Sequence, residues 1–486
     1  MGNLKLSITT IGDLLLRNKI TNGDNPIEDV NLVIPIYQRP YKWTVRNAIQ
    51  LLDDIIDAMT ANKEKYRVGT LILHNSKGST YDIVDGQQRT ITFALLLKAI
   101  GNSEIGFLDA EVYGNEYNAY NITNNYNALC RRFVRPADDA GDEYNRETLK
   151  LKDYIENRCE LIVVITSDVS EAFQFFDSQN SRGKSLYPHD LLKAYHLREM
   201  SDVPDAETES IVKGWEQVSQ TCLASLFGNY LYRIKEWMNG NRADILNEHN
   251  IQMFKGITRY ERTPYAQFYK GAYSYASMVN SSSMPFVSGI RPINAFQLDT
   301  PIIAGKPFFD YTRHYYTILK DIQDNSRYEG FYIKDNAIVN TLDRYFKCGV
   351  GNCISRLLFD TSVMLYVDRF CPETHPTKED LSLFEQFVVY AFIWSYSLRA
   401  QYVKLGWQSA QNYIMGCDGK INSFNIYQII SRQDTPASLL GIMADKLEPL
   451  SDSCIKDSWA RKNIGDVEDG VHKNYMYFFK KSGFYK

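Results

Sequence analysis

Two hydrophobic periodicities divide the chain. Up to about residue 200, short β-branched runs alternate with helical patterns; beyond it the apolar positions mostly recur at the ~3.6-residue spacing of helices. Val68 to Leu73 and Tyr81 to Val84 read as a hairpin across the Ser76-Lys-Gly-Ser79 turn, and Leu161 to Ile165 as a buried strand. Ile8 to Leu16 is expected to be a short first helix. Val45 to Met59 should be an amphipathic one with Asp53, Asp54 and Asp57 on its solvated face. Asn115 to Arg132, rich in Asn and Tyr, reads as a helical insert. Further helices are expected over Ile211 to Gln220, Ala224 to Trp237, Tyr311 to Gln323, Ile354 to Phe370, Leu381 to Leu398 and Ile426 to Ile430. The acidic stretch Ser201 to Glu209 is the expected seam. It separates a domain over 1–200, with its insert around 115–135, from a mainly helical domain over 210–486.

Three segments concentrate chemistry in the first half. In Tyr81-Asp-Ile-Val-Asp-Gly-Gln-Gln-Arg-Thr-Ile-Thr-Phe93 a strand breaks at Asp85-Gly86 and a helical pattern restarts. Gly86 lets backbone approach a ligand, and the new helix turns its positive end and Arg89 to the same corner, as anion sites do. The plain alternative is a strand-to-helix turn with Arg89 solvated. Leu32 to Trp43 ends in Gln38-Arg39-Pro40-Tyr41-Lys42-Trp43, and Pro40 keeps Arg39 out of a helix. Arg39 can pair with phosphate and the aromatics can stack on a base, although an aromatic cluster around a salt-bridged arginine has the same look. The third segment, Phe173 to Lys193, is a helix stopped at Gly183, then a new helix near Ser185 to Asp190 with Pro188 in its first turn. Asn180, Arg182 and Lys184 cluster at that corner. Gly183-Lys184-Ser185 is no P-loop, because Ser178 stands where that motif needs glycine and a helix precedes it.

In this order and near these spacings, Ile34 to Trp43, Asp85 to Thr92 and Phe176 to Lys193 resemble the three blocks of the DUF262 family. Its N-terminal domain is similar to the ParB/sulfiredoxin fold, and relatives include restriction proteins of the GmrSD, SspE and BrxU types. The resemblance implies an α/β nucleotide-binding domain of about 200 residues and a role in cutting modified phage DNA. It implies that Gly86, Gln87 and Gln88 line a nucleoside triphosphate, with Arg39, Arg89, Arg182 and Lys184 against its phosphates. Asp85 would orient Arg89 or a metal-bound water, Asn180 would help hold Mg²⁺, and Gln38 and Tyr41 would sense DNA or its modification. The expected activity is triphosphate hydrolysis. A non-catalytic nucleotide switch acting on a partner nuclease, or a nuclease built from acids in the helical half, would be the alternatives.

Many such relatives also carry a His-Me finger nuclease domain. Of the seven histidines only His375, followed by Pro376, and His472 fall in the last third, and His375 sits in a loop pattern. A separately encoded nuclease subunit is therefore an expected partner, beside DNA, the nucleotide and a second copy of the chain. The formal charge of -4 and pI near 6.1 give no global attraction to DNA, so any contact needs a local basic patch. Eight irregularly spaced cysteines suit reduced thiols in a cytoplasm, and Cys348, Cys353, Cys371 and His375 are only loosely spaced for zinc. No apolar run reads as bilayer-length, so no membrane partner is expected. The aromatic tail from Tyr475 should dock on its own domain.

Overall fold

The computed structural model describes residues 4–21, 26–35, 38, 40–101, 105–110, 116–133, 142–167, 187–200, 203–247, 249–281, 293–324, 337–372, 376–462 and 464–486. The chain divides into two compact units. The first holds Met1–Leu186 with Val203–Glu216, and the second Tyr187–Asp202 with Gln217–Lys486. The chain thus passes between units three times, at 186/187, 202/203 and 216/217, around the segment where a single seam was expected.

The first unit is built on a mixed five-stranded sheet in the order β1-β5-β3-β4-β2. Its strands are β1 (Lys5–Thr10), β2 (Asn31–Val33), β3 (Tyr66–Lys77), β4 (Thr80–Asp85) and β5 (Cys159–Thr166). β3 and β4 form the expected antiparallel hairpin, while β5 lies parallel to β3 and antiparallel to β1. The inner positions Leu71, Ile72, Leu73, Ile83, Val84, Leu161 and Val163 are buried, as central strands covered on both faces require. Around them are α1 (Ile11–Leu16), α2 (Val45–Thr60), α3 (Gln87–Ala99), α4 (Gly106–Ala110), α5 (Glu116–Arg132) and α6 (Asp142–Arg158). Every residue of α3 from Thr90 to Leu97 is buried, and it is the unit's central helix. The expected first helix is shorter than its pattern, because Ile8 to Thr10 belong to β1 and pair with β5 from Ile162 to Glu160. On α2, Asp53 is half-buried and binds Arg132 of α5 at 2.6 Å, so this acid and this base satisfy one another.

The second unit is helical. The Pro188–Arg198 helix begins with its proline in the first turn, as read. The Ala224 to Trp237 stretch is continuous but carries a π-helical segment, Leu226–Leu231, between Gln220–Ser225 and Tyr232–Met238. The long helices Val350–Phe370 and Lys378–Ala400 pack together at its centre. Cys353 lies in the first turn of Val350–Phe370 and Cys371 caps its end. That separates them by about 27 Å at ~1.5 Å per residue, so the two cannot share one ion. Lys378–Ala400 does meet the length and apolarity of a membrane span, contrary to the sequence reading. Of that window, however, 61% is buried within the structure, the behaviour of a core helix. The tail docks as expected: Tyr475, Met476 and Phe479 are buried, Leu450 N donates to Phe484 O, and Lys486 N donates to Leu450 O.

Candidate functional site

The strand-to-helix corner forms as read. β4 ends at Asp85, and Gly86 adopts φ 95°, ψ 0° as N-cap of α3. A side chain there would meet Thr70 O at 3.1 Å and Leu71 Cδ1 at 3.0 Å, so both the left-handed backbone and the lack of room demand glycine. No side chain caps α3, and its first-turn N–H groups and positive end therefore face the corner. Gln87 is buried, and its amide has no hydrogen-bond partner among the described residues.

Arg89 is positioned by the neighbouring strand. Its Nη1 donates to Val68 O at 2.9 Å and its Nη2 to Thr70 O at 3.1 Å. The two carbonyls flank Gly69, which has φ +127° at an irregularity in the β3–β5 register. A Cβ on Gly69 would lie 1.6 Å from Nη1, so the guanidinium rests on bare backbone. The bonds to Val68 and Thr70 fix the arginine where Asp85 was expected to orient it. They use two of its five N–H donors and cancel none of its charge. Among the described residues no carboxylate forms an ion pair with it. Asp85, half-buried, stands four residues earlier at the strand's end.

The first motif is bound to the same corner by its polar side chains, but in supporting roles. Gln38 Nε2 donates to Val84 O at 2.7 Å and Ile83 O at 3.0 Å, tying the loop to the end of β4. Gln88 Oε1 accepts from Lys42 N at 2.8 Å and Trp43 N at 3.2 Å, and its Nε2 donates to Pro40 O. Its amide therefore holds the loop, where a phosphate contact was expected. Tyr41 is fully buried; its hydroxyl meets Thr92 Oγ1 at 2.7 Å and accepts from Asn125 Nδ2 at 2.8 Å. Burial raises that hydroxyl's pKa. A ring without an exposed face has none to offer a base, so Tyr41 is a core anchor rather than a sensor in this conformation. Asn121 and Asn125, one turn apart on α5, donate to Tyr41 O and Trp43 O.

Arg39, Asn180, Arg182 and Lys184 lie outside the described residues, as does His375. The structure thus brings together Gln38, Tyr41 and Asp85 to Arg89. Gly69, Thr92, Asn121 and Asn125 join them, although the sequence reading did not single them out. Two signals for them were present: a glycine inside a strand pattern marks a bulge or close approach, and Asn121 and Asn125 have helical i,i+4 spacing. No group of three or more His, Cys, Asp or Glu residues able to hold a metal occurs among the described residues. A cleft of about 830 Å³ lies elsewhere in this unit, lined by Lys63, Arg132, Lys150 and Arg158 together with Glu64, Glu147 and Asp153. Its mixed charge selects no class of ligand.

In the helical unit the buried acids are engaged. Asp343 and Asp360 bind Arg356, Asp457 binds Arg399 and Tyr475, and Asp368 accepts from Tyr315 and from Leu298 N. His196 is wholly buried, with Nε2 at Phe254 O and Nδ1 accepting from Gly305 N. Burial pushes its pKa down to about 3, so it is a neutral core residue.

The first unit is thus a mixed-sheet domain with an uncapped helix, a glycine corner and an arginine that no carboxylate among the described residues pairs with. Residues 12–197 match the family model of the GmrSD restriction endonuclease N-terminal domain, so this part of the chain is similar to that domain. Residues 207–457, more than half of the 486-residue chain, match DUF7834, a family of unknown function, and the chain belongs to that family. No curated protein matches the chain.

Proposed function

We propose that the chain is the nucleotide-handling component of a bacterial restriction or anti-phage system. In this reading its N-terminal unit binds and hydrolyses a nucleoside triphosphate with Mg²⁺ at the Gly86–Arg89 corner. The observation that carries the reading is the seat of Arg89: a guanidinium held by two neutral carbonyls, beside a helix N-terminus, with no ion-pair partner among the described residues. Both features favour an anion at one point, and a phosphate's oxygens suit them.

Phosphoryl transfer asks mainly for positioning and charge stabilisation, and needs no protein nucleophile. Gly86 gives the phosphates close access to backbone, and Arg89 meets charge that develops on their oxygens. Gln38 and Gln88 act through the 38–43 loop, clamping it to the corner. Magnesium takes few protein ligands when phosphate oxygens are present, so Asp85 and Asn180 would suffice as the protein's donors. When bound, the ion would draw charge from the phosphate oxygens. Modified DNA as the target and a nuclease subunit as the partner belong to the same proposal, carried by the resemblance of 12–197 to restriction domains.

The test is phosphate release from ATP, GTP, CTP and UTP, with Mg²⁺ and phage DNA, by wild type and Arg89→Ala. Circular dichroism should confirm the fold of each. Turnover that the variant loses supports the reading; equal turnover in both removes Arg89 from the chemistry. Binding without turnover in the wild type would leave a nucleotide switch that acts through a partner nuclease.

A further inference from the structure

One helix of the helical unit buries its small residues and exposes its large ones. In Pro264–Ser281 the buried positions are Ala266, Ala276 and Val279, whereas Tyr265 is 59% exposed and Phe268 69%. Tyr275 and Met278 are exposed as well. Elsewhere in the unit large rings such as Tyr315, Phe387 and Trp394 are wholly buried. Contiguous large apolar side chains left in water mark a surface that a ligand or partner covers.

Beside these rings lies a cleft of about 210 Å³, to which Phe268, Tyr269, Tyr273 and Phe296 give aromatic walls. The walls continue into the exposed face. Tyr265 and Phe268 each stand edge-on to Tyr269, with centroids 5.0 and 5.2 Å away, and Phe296 lies 5.9 Å from Tyr273. Asn294 and Gln297 line the same cleft. Asn294 Oδ1 accepts from Phe296 N, but among the described residues Asn294 Nδ2 and the Gln297 amide have no hydrogen-bond partner. Sites for whole small molecules usually measure roughly 300–1,000 Å³. This cleft is smaller, and suits one flat ring system of a ligand whose remainder stays outside.

Outside it the charge is positive. Arg259 and Arg262 are exposed in the turn before the helix, where Glu261 is the one acid. Lys270 Nζ donates to Arg259 O at 2.9 Å and to Glu261 O at 2.8 Å. That lysine follows Tyr269 in the chain, so it ties the cationic turn to the helix next to the cleft, and neutral carbonyls leave its charge in place. Rings for a π-face, amides for a polar edge and cations for a backbone are the parts with which proteins hold an unstacked base of a single strand. An apolar side chain of a protein partner would fill the cleft but leave the cations and amides without a role.

We propose that the Tyr265, Phe268 and Tyr269 face and its cleft take up one base of single-stranded DNA, with Arg259, Arg262 and Lys270 along the flanking phosphates. The site shares with the reading above only DNA as the ligand, and needs neither a nucleoside triphosphate nor Arg89.

Fluorescence anisotropy of a labelled oligothymidine, titrated with the full chain in the absence of nucleotide and Mg²⁺, tests it. Phe268→Ala removes an exposed ring, so it should melt as wild type does while binding the strand about 5- to 100-fold more weakly, the worth of one stacked base. Arg262→Gln should flatten the slope of log affinity against log salt by about 0.7, as the loss of one phosphate contact on a single strand requires. A strand carrying one 5-iododeoxyuridine, irradiated on the full chain, should cross-link within residues 265–273. Arg89→Ala should bind the strand as wild type does, so a failure of turnover and a failure of this site are read separately. No binding by wild type, equal binding by Phe268→Ala, or cross-links confined to other residues would overturn the assignment. Strand binding unchanged in Phe268→Ala together with a loss of self-association would overturn it too, and give the face to contact between copies of the chain.

Discussion

Arg89 in the N-terminal unit and Arg356 in the helical unit are each anchored at two points, and they differ in what anchors them. Arg356 donates from Nη1 to Asp343 at 2.6 Å and from Nε to Asp360 at 2.8 Å. Arg89 donates to the carbonyls of Val68 and Thr70. Carboxylates fix the geometry and finish the charge, whereas carbonyls fix the geometry and leave the charge to be used. One arrangement completes a core and the other prepares for an anion. Separating the two roles experimentally is the sharpest way to examine the molecule.

The largest effect is expected where charge is left over. Arg89→Ala should lower nucleotide turnover on the order of 10³-fold, the scale of a lost phosphate-stabilising arginine. Arg89→Lys, with a point charge in place of the fork, should recover only part of it. Steady-state phosphate release measures both, and near-normal rates in the alanine variant would erase the contrast with Arg356. Arg356→Ala should do the opposite. It strands Asp360 and Asp343, of which Asp360 is deeply buried, and should cost about 3–5 kcal/mol of stability with turnover per folded molecule unchanged. Urea unfolding reads the loss; an unchanged midpoint would show that the pair is dispensable.

Gly69→Ala tests whether the backbone seat, rather than mere presence of the arginine, matters. The new Cβ cannot coexist with Nη1 at 1.6 Å and strains a φ of +127°. Displacing the guanidinium by about 1 Å should cost on the order of 10²-fold in turnover. A smaller effect is expected at Tyr41→Phe, which removes the hydroxyl that Thr92 and Asn125 share. Stability should fall by about 1 kcal/mol, with DNA selectivity in any cleavage assay untouched. A change of selectivity there would return Tyr41 to the sensing surface.

These cases also show what the sequence could disclose. The β3–β4 hairpin, the Gly86 corner and the long helices were legible because periodicity and chain-breaking residues are local. β1 was not: Ile8 to Thr10 run into α1 without a breaker, and only pairing with the distant β5 makes them a strand. The polar Asp142–Arg158 helix offered too few apolar positions to be noticed. Gln38, Gln88 and Tyr41 were recognised as special, but whether such a side chain turns to a ligand or to a backbone is decided by partners as distant as Val84 and Asn125. The motif marked the site; tertiary contacts assigned the roles within it.

The smallest effect distinguishes two buried acids of the helical unit. Asp360 has Arg356 beside it, whereas Asp368 has Tyr315 and Leu298 N, hydrogen bonds without a contacting cation. Burial pushes the Asp368 carboxyl up to about 7. The folded chain therefore keeps this proton between about pH 4 and 7, where the unfolded chain has released it. The stability Asp368 contributes should fall as pH rises through that window and be level above it. His196, pushed down to about 3, has the opposite slope below its ordinary value: stability is lost as pH falls. Buried Lys235, pushed down to about 8, acts only above that pH. Comparison with Asp368→Asn, which mimics the protonated acid, cancels the histidine contribution. The melting-temperature advantage of the variant should grow from pH 4 to 7 and then stay constant. A difference that does not vary with pH would mean that Asp368 is ionised throughout that window.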